Sequence, residues 1–275
     1  MKRVCVIGGN RYFGRQVVEL LRDEGWAVTL VNRGSTEPPP GVRHLVADRG
    51  DVAALRAQEF DVVIDQVCYT PADAVAARQA FGGRVGRYVM TSTIEVYADQ
   101  DTAEPLAETD PLRWLAQPVP AGELEYGAAK RLAEATLAAD PVFPVVTVRS
   151  AHVLGGEEWT GRLRHYVEHI RDGREVLVHA EPRRSVFIHH AEIARLLAWA
   201  AGEDFTGPLN ACSHGELDVF DLCQRIGPAR FSVGEPASPF SFGRGYAMSN
   251  ARAESLGFAF SHTRDWLDSA IEEVR

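Results

Sequence analysis

At 275 residues, 45% hydrophobic and 24% charged, the sequence has the make-up of a globular protein long enough for one large domain, or for one domain with a smaller companion. The formal charge of -9 is spread along the chain without a basic block, which argues against nucleic acid as a primary ligand. The apolar runs fall far short of the roughly 20 residues that cross a bilayer, and the start MKRVCVIGG enters a turn with no sign of a signal peptide, so no membrane partner is expected.

The elements follow in chain order. A first strand, Val4–Ile7, ends in VIGGNRYFG, which places Gly8, Gly9 and Gly14 where a helix begins. Glycines there permit a tight turn and let backbone amides approach a pyrophosphate at the helix N-terminus. Phe13, Val17, Leu20 and Leu21 recur at three- and four-residue steps, and with Leu55 they are expected to face the core. The second strand, Ala27–Val31, runs into Asn32-Arg33-Gly34, with no acid where a carboxylate would accept the adenosine ribose hydroxyls of NAD. Arg33, with Arg11 in the glycine turn, suits a 2′-phosphate, so NADP(H) is preferred as cofactor and NAD(H) is the alternative. STEPPPG then reads as a surface loop.

A third strand, Leu45–Ala47, leads into LVADRGD. Asp48 there could reach an adenine edge, or open a turn and cap the next helix. Strands at Val62–Ile64, Tyr88–Met90 and Val145–Val148 complete the alternation of strand and helix that marks βαβ units. The fifth ends in YVMTSTIEVY, where Thr91, Ser92 and Thr93 are candidate hydroxyls. In YGAAKRLAEATLAA, Tyr126 and Lys130 stand one helical turn apart, and Lys130 is one of only two lysines in the chain. A free tyrosine has a pKa near 10, and a neighbouring ammonium favours its phenolate.

After about residue 150 the alternation fails. Val176–Val178 and Val186–Ile188 read as short strands, and Ala191–Ala201 and Arg264–Val274 as helices, separated by connections such as GEPASPFSFGRG. His189-His190 has no second pair at a zinc-like spacing, so it reads as a strand end and no metal is expected. The cysteines, Cys5, Cys68, Cys212 and Cys223, form no CxxC pair and read as the reduced thiols of a cytoplasmic protein.

The glycine turn, LVADRGD, VVID, TSTIEVY, EYGAAK, VRSAHVLGG, VFIHHAEIA and LNA together resemble the extended short-chain dehydrogenase/reductases, the NAD(P)-dependent epimerase/dehydratase family. The GGNRYFG turn, with Arg11 where many members have glycine, is similar to the atypical subgroup that includes chloroplast stem-loop-binding-like proteins. Ser150 stands where a proline usually follows the arginine of the sixth strand. The resemblance implies a catalytic set of Thr93, Tyr126 and Lys130, with Ser92 in reserve for the hydroxyl. Cofactor contacts are assigned to Gly8, Gly9, Asn10, Arg11, Tyr12, Phe13 and Gly14, to Asn32 and Arg33, to Asp48 and Arg49, and to Lys130.

The expected architecture is α/β, a doubly wound parallel sheet (Rossmann fold) with a small C-terminal substrate lobe. Residues 1–150 would form the NAD(P)-binding domain and 151–275 the lobe, with about 185–203 returning to the first domain. The expected activity is hydride transfer to or from a small carbonyl or hydroxyl compound, with His152, Arg244 and Tyr246 available to line the cleft; a homodimer is allowed. Two alternatives stand beside it: an NAD-dependent sugar-nucleotide epimerase or dehydratase, for which the C-terminal part reads as short, and a non-catalytic cofactor-sensing or RNA-associated protein.

Overall fold

The computed structural model describes residues 1–98, 100, 104–109 and 124–274. Its elements run β1 (Arg3–Ile7), α1 (Tyr12–Asp23), β2 (Ala27–Asn32), β3 (Arg43–Val46), α2 (Val52–Arg56), β4 (Val62–Asp65), α3 (Pro71–Phe81), β5 (Arg87–Thr93), α4 (Tyr126–Ala138) and β6 (Val145–Ser150). They continue with β7 (His152–Leu154), α5 (Arg162–Arg171), β8 (Glu175–Val178), β9 (Phe187–His189), α6 (His190–Gly202), β10 (Gly207–Ala211), α7 (Val219–Ile226), β11 (Arg230–Val233), α8 (Ala251–Ser255) and α9 (Thr263–Glu272).

A seven-stranded sheet has the order β10-β6-β5-β4-β1-β2-β3, and the pairings from β3 across to β6 are parallel. The strand order reverses between β1 and β4, which makes the carboxyl ends of these two strands the place where an open α/β sheet receives a ligand. β4 and β5 are buried at every residue, as strands covered on both faces must be, and this is why VVI of β4 and YVM of β5 read as continuous apolar runs, with polar residues only toward the strand ends. The chain divides into two compact units, Met1–Ala98 with Thr109–Ser150 and Ile193–Leu209, and Asp99–Glu108 with Ala151–Glu192 and Asn210–Arg275.

In the first unit the core gathers Val31, Leu55, Phe60 and Phe81 around Tyr88, which stacks on Phe143 with ring centroids 4.9 Å apart. The predicted inner face of α1 needs adjustment. Val17 and Leu21 are buried, but Phe13 and Leu20 are only half-buried, because the apolar stripe is wider than the face that meets the sheet. α3 begins at a complete capping box, with Thr70 accepting from the Asp73 amide, the Asp73 carboxylate accepting from the Thr70 amide, and Pro71 opening the first turn.

The second unit is built from small pieces: a two-stranded parallel sheet of β8 and β11, another of β7 and β9, and the helices α5, α7 and α9. Its core packs Leu163, Tyr166, Val176, Leu222, Phe240 and Leu267 together. Among the described residues no helix is long and apolar enough to cross a membrane, and all four cysteines are free and buried.

Candidate active site

The glycine turn joins β1 to α1. Gly8 has φ +84°, in the left-handed region, and a β-carbon there would lie 2.6 Å from Val67 Cγ1. Only glycine meets both demands. Tyr12, at φ +54°, accepts a conformation that costs about 1–3 kcal/mol outside glycine, a kind of strain that clusters at ligand sites. Arg11 is the N-cap of α1 and makes no side-chain cap hydrogen bond, while the Gly14 amide donates to the Arg11 carbonyl at 3.0 Å; the positive end of the helix dipole lies at this turn.

Asn10 is 8% exposed; its Nδ2 donates to the carbonyls of Thr36 and Glu37 at 2.8 and 3.1 Å, while its Oδ1 is buried and accepts nothing. Asn32 Oδ1 accepts from the Gly34 amide at 2.7 Å and lies 2.9 Å from His44 Nε2, with Nδ2 buried and unpartnered. A turn with left-handed backbone, an uncapped helix start and orphaned buried amide atoms fits a bound dinucleotide. Arg11 and Arg33 are exposed, and neither forms an ion pair among the described residues.

Asp48 and Arg49 go different ways. Asp48 is exposed and closes its own turn by accepting from the Gly50 amide at 2.8 Å; the helix cap falls to Asp51, which accepts from the Ala54 amide. Arg49 turns inward. Its Nη2 donates to Asp65 at 2.6 Å and its Nη1 to Asp73 at 2.8 Å, and Asp65, fully buried, also accepts from Tyr88 OH at 2.7 Å. The guanidinium is thereby committed to bracing the end of β4 and the start of α3.

The Tyr-Lys pair stands on α4, with Tyr126 half-exposed in its first turn and Lys130 1% exposed one turn later. Lys130 Nζ donates to the carbonyls of Cys68 and Thr91 at 2.9 and 2.8 Å, which commits two of its three protons. The rings of Tyr69 and Tyr126 lie 4.5 and 6.0 Å from Nζ. Burial pushes the Lys130 pKa down to about 8, against the opposing pull of Asp65 and Glu134.

Gly127 explains how closely α4 approaches the end of β5: a β-carbon there would lie 2.3 Å from the Glu95 carbonyl oxygen. Thr93 accepts from the Glu95 amide at 3.2 Å and starts the 3-10 turn Ile94–Tyr97, leaving its hydroxyl proton to give. Ser92 differs, since its hydroxyl is buried and donates to Glu134.

Glu134 and Arg149 are a buried ion pair at 2.7 Å, and Arg149 Nη1 donates to Tyr97 OH at 2.7 Å. This network ties α4, β5, β6 and the 3-10 turn together directly behind Thr93. Sequence reading missed Glu134, Arg149 and Tyr69. Arg149 carried a signal, because an arginine inside the apolar run VVTVRS needs a buried partner. Glu134 carried one too, standing four residues after Lys130. Tyr69 lies beyond β4 with no periodicity to connect it to α4.

In the second unit, the three side chains assigned to a cleft form one aromatic cluster. His152 stacks on Phe242 with centroids 4.7 Å apart and meets Tyr246 edge-on at 5.1 Å, and the Arg244 guanidinium lies 4.1 Å from the Tyr246 ring centroid. Burial, with Arg162 and Arg244 nearby, pushes the His152 pKa down to about 3, so the ring packs as a neutral aromatic.

No family model matches this sequence, and no curated protein does. Solved structures do match its fold. A UDP-glucose 4-epimerase from Thermotoga maritima, solved with UDP-glucose, superposes with a TM-score of 0.77 over 98% of each chain at 16% identity. A dTDP-glucose 4,6-dehydratase from Bacillus anthracis in complex with NAD gives 0.80 over 99% of this chain and 96% of its own, at 12% identity. A UDP-glucose 4-epimerase from Thermus thermophilus in complex with NAD gives 0.76 over 99% of each chain at 18% identity. The chain therefore has the Rossmann-type α/β fold of these epimerases and dehydratases, over essentially its whole length.

Proposed function

We propose that this protein is a nicotinamide-dependent enzyme of the extended short-chain dehydrogenase/reductase type, acting on a hydroxyl or carbonyl carbon of a small molecule. The observation that carries this reading is the pair on α4, a half-exposed phenol one turn from a buried lysine that is anchored to the carbonyl of Thr91, two residues before Thr93. When bound, the nicotinamide would supply hydride exchange with the substrate carbon. The chain's own residues would manage the proton. Tyr126 OH would give it to, or take it from, the substrate oxygen, and Thr93 OH would donate a hydrogen bond to the same oxygen. The Lys130 ammonium would ease ionisation of the phenol and offer its third proton to a ribose hydroxyl.

The glycine turn, Asn10 and Asn32 would hold the dinucleotide, and Arg11 and Arg33 would favour NADP(H) by meeting a 2′-phosphate. The second unit would hold the substrate. A second reading, a sugar-nucleotide epimerase or dehydratase, is supported by the near-complete coverage of enzymes with those substrates in their names. An epimerase restores its cofactor within each turnover and would retain NAD through purification.

The test is a fluorescence titration of the purified protein with NADPH and NADH after assaying for nucleotide already bound. Tight NADPH binding to an empty protein supports the reductase reading, retained NAD supports the epimerase reading, and no binding of either defeats both. With a substrate in hand, Tyr126→Phe should lower turnover by at least about a hundredfold with cofactor affinity nearly unchanged. Turnover close to wild type would remove Tyr126 from the mechanism.

A further inference from the structure

Three ligand-type side chains that lie far apart in the sequence meet in the second unit. His189 closes β9, His190 opens α6, and Glu273 caps the C-terminus of α9. One ligating atom from each, two imidazole nitrogens and a carboxylate oxygen, lie within 4.8 Å of one another. His190 Nε2 and Glu273 Oε2 are 3.7 Å apart, and the two imidazole rings have centroids at 4.2 Å.

The surroundings hold these groups in place. Gly155 and Gly156 adopt left-handed conformations, φ +85° and +66°, and press against both rings. A β-carbon on Gly155 would sit 3.0 Å from His189 Nε2, and one on Gly156 would sit 2.9 Å from His190 Nδ1. The Gly156 amide donates to Glu273 Oε2 at 2.6 Å, which orients the carboxylate as an outer-shell partner does for a metal ligand. Trp266 flanks the His189 ring at 5.3 Å, and His190 is 8% exposed.

We infer that His189, His190 and Glu273 form a binding site for one divalent transition-metal ion, with Zn2+ the ion best suited to two imidazoles and a carboxylate. Ligands held at about 2.0–2.2 Å in a tetrahedron are roughly 3.4 Å from each other. The His190–Glu273 separation already approaches that spacing, and the widest separation closes with about 1 to 1.5 Å of side-chain rotation. Water would complete the coordination. Such an ion would fasten the end of α9 to the start of α6 and to the Gly155-Gly156 turn, which gives it a structural role separate from the Tyr-Lys pair of the first unit.

The experiment uses the full chain without a histidine tag, stripped with a chelator and titrated with Zn2+ by calorimetry and with Co2+ by visible absorption. The expected result is one equivalent bound with micromolar or tighter affinity, and a ligand-field band of the intensity that marks four-coordinate Co2+. Glu273→Gln and His190→Asn should each weaken binding by at least about tenfold. Because the Glu273 side chain is 41% exposed, Glu273→Gln keeps shape and fold and decides the matter alone if the histidine variant fails to fold. Absence of stoichiometric binding, or binding unchanged in Glu273→Gln, overturns the site.

Discussion

Lys130 brings a charge to a position 1% exposed to water, and the cost of that burial is what makes it useful. An ammonium whose pKa has fallen to about 8 is still mostly protonated at pH 7, yet it releases its proton two to three units sooner than a free lysine. Because the folded value lies below the unfolded one, the penalty is complete below about pH 8 and is relieved as pH rises toward 10.5; stability should climb across that window, by about 3 kcal/mol in all. With only two lysines in the chain, a [13Cε]lysine-labelled sample gives two side-chain signals, assigned by Lys2→Arg. The Lys130 signal should titrate with a midpoint near 8, and a midpoint at 10 or above would show that the ammonium is solvated. The i,i+4 spacing made the shared helical face of Tyr126 and Lys130 legible in the sequence. The choice between Ser92 and Thr93 was not, since it depends on which hydroxyl the Glu134 carboxylate engages across the fold.

At the scale of elements, the Glu134–Arg149 pair fixes how α4 lies against β5 and β6. Both partners are buried, so removing one leaves the other as an uncompensated charge. Glu134→Gln should therefore destabilise the protein by about 3–5 kcal/mol in urea unfolding, and Glu134→Gln with Arg149→Met should recover much of that loss. A cost below about 1 kcal/mol for the single change would mean that water reaches the pair. The strands of the large sheet were legible because burial on both faces leaves continuous apolar runs such as VVI and YVM. β7 and β9 were harder, with three residues each in a two-stranded sheet; too few side chains alternate to show a period. α7 went unread although Asp218 and Asp221 form a capping box before it, a signal that was present and overlooked.

For the molecule as a whole, a charge of -9 would oppose the approach of an anionic dinucleotide, and in the proposed reading the exposed Arg11 and Arg33 would supply the local positive charge that offsets it. Arg33→Ala should weaken NADPH by about tenfold or more and leave NADH within about twofold, as read by the same fluorescence titration. Equal losses would show that the arginine does not read the phosphate. The doubly wound architecture was legible from strand spacing and the glycine turn, whereas the irregular segments of the second unit carry no such pattern. The burial of Lys130 also has a practical side. It leaves Lys2, exposed just before β1, as the accessible lysine among the described residues. β1 runs from there to the glycine turn, so Lys2 sits at the amino end of this strand and the turn at its carboxyl end. Coupling to a sensor chip through Lys2 would thus present the glycine turn to the flowing solution.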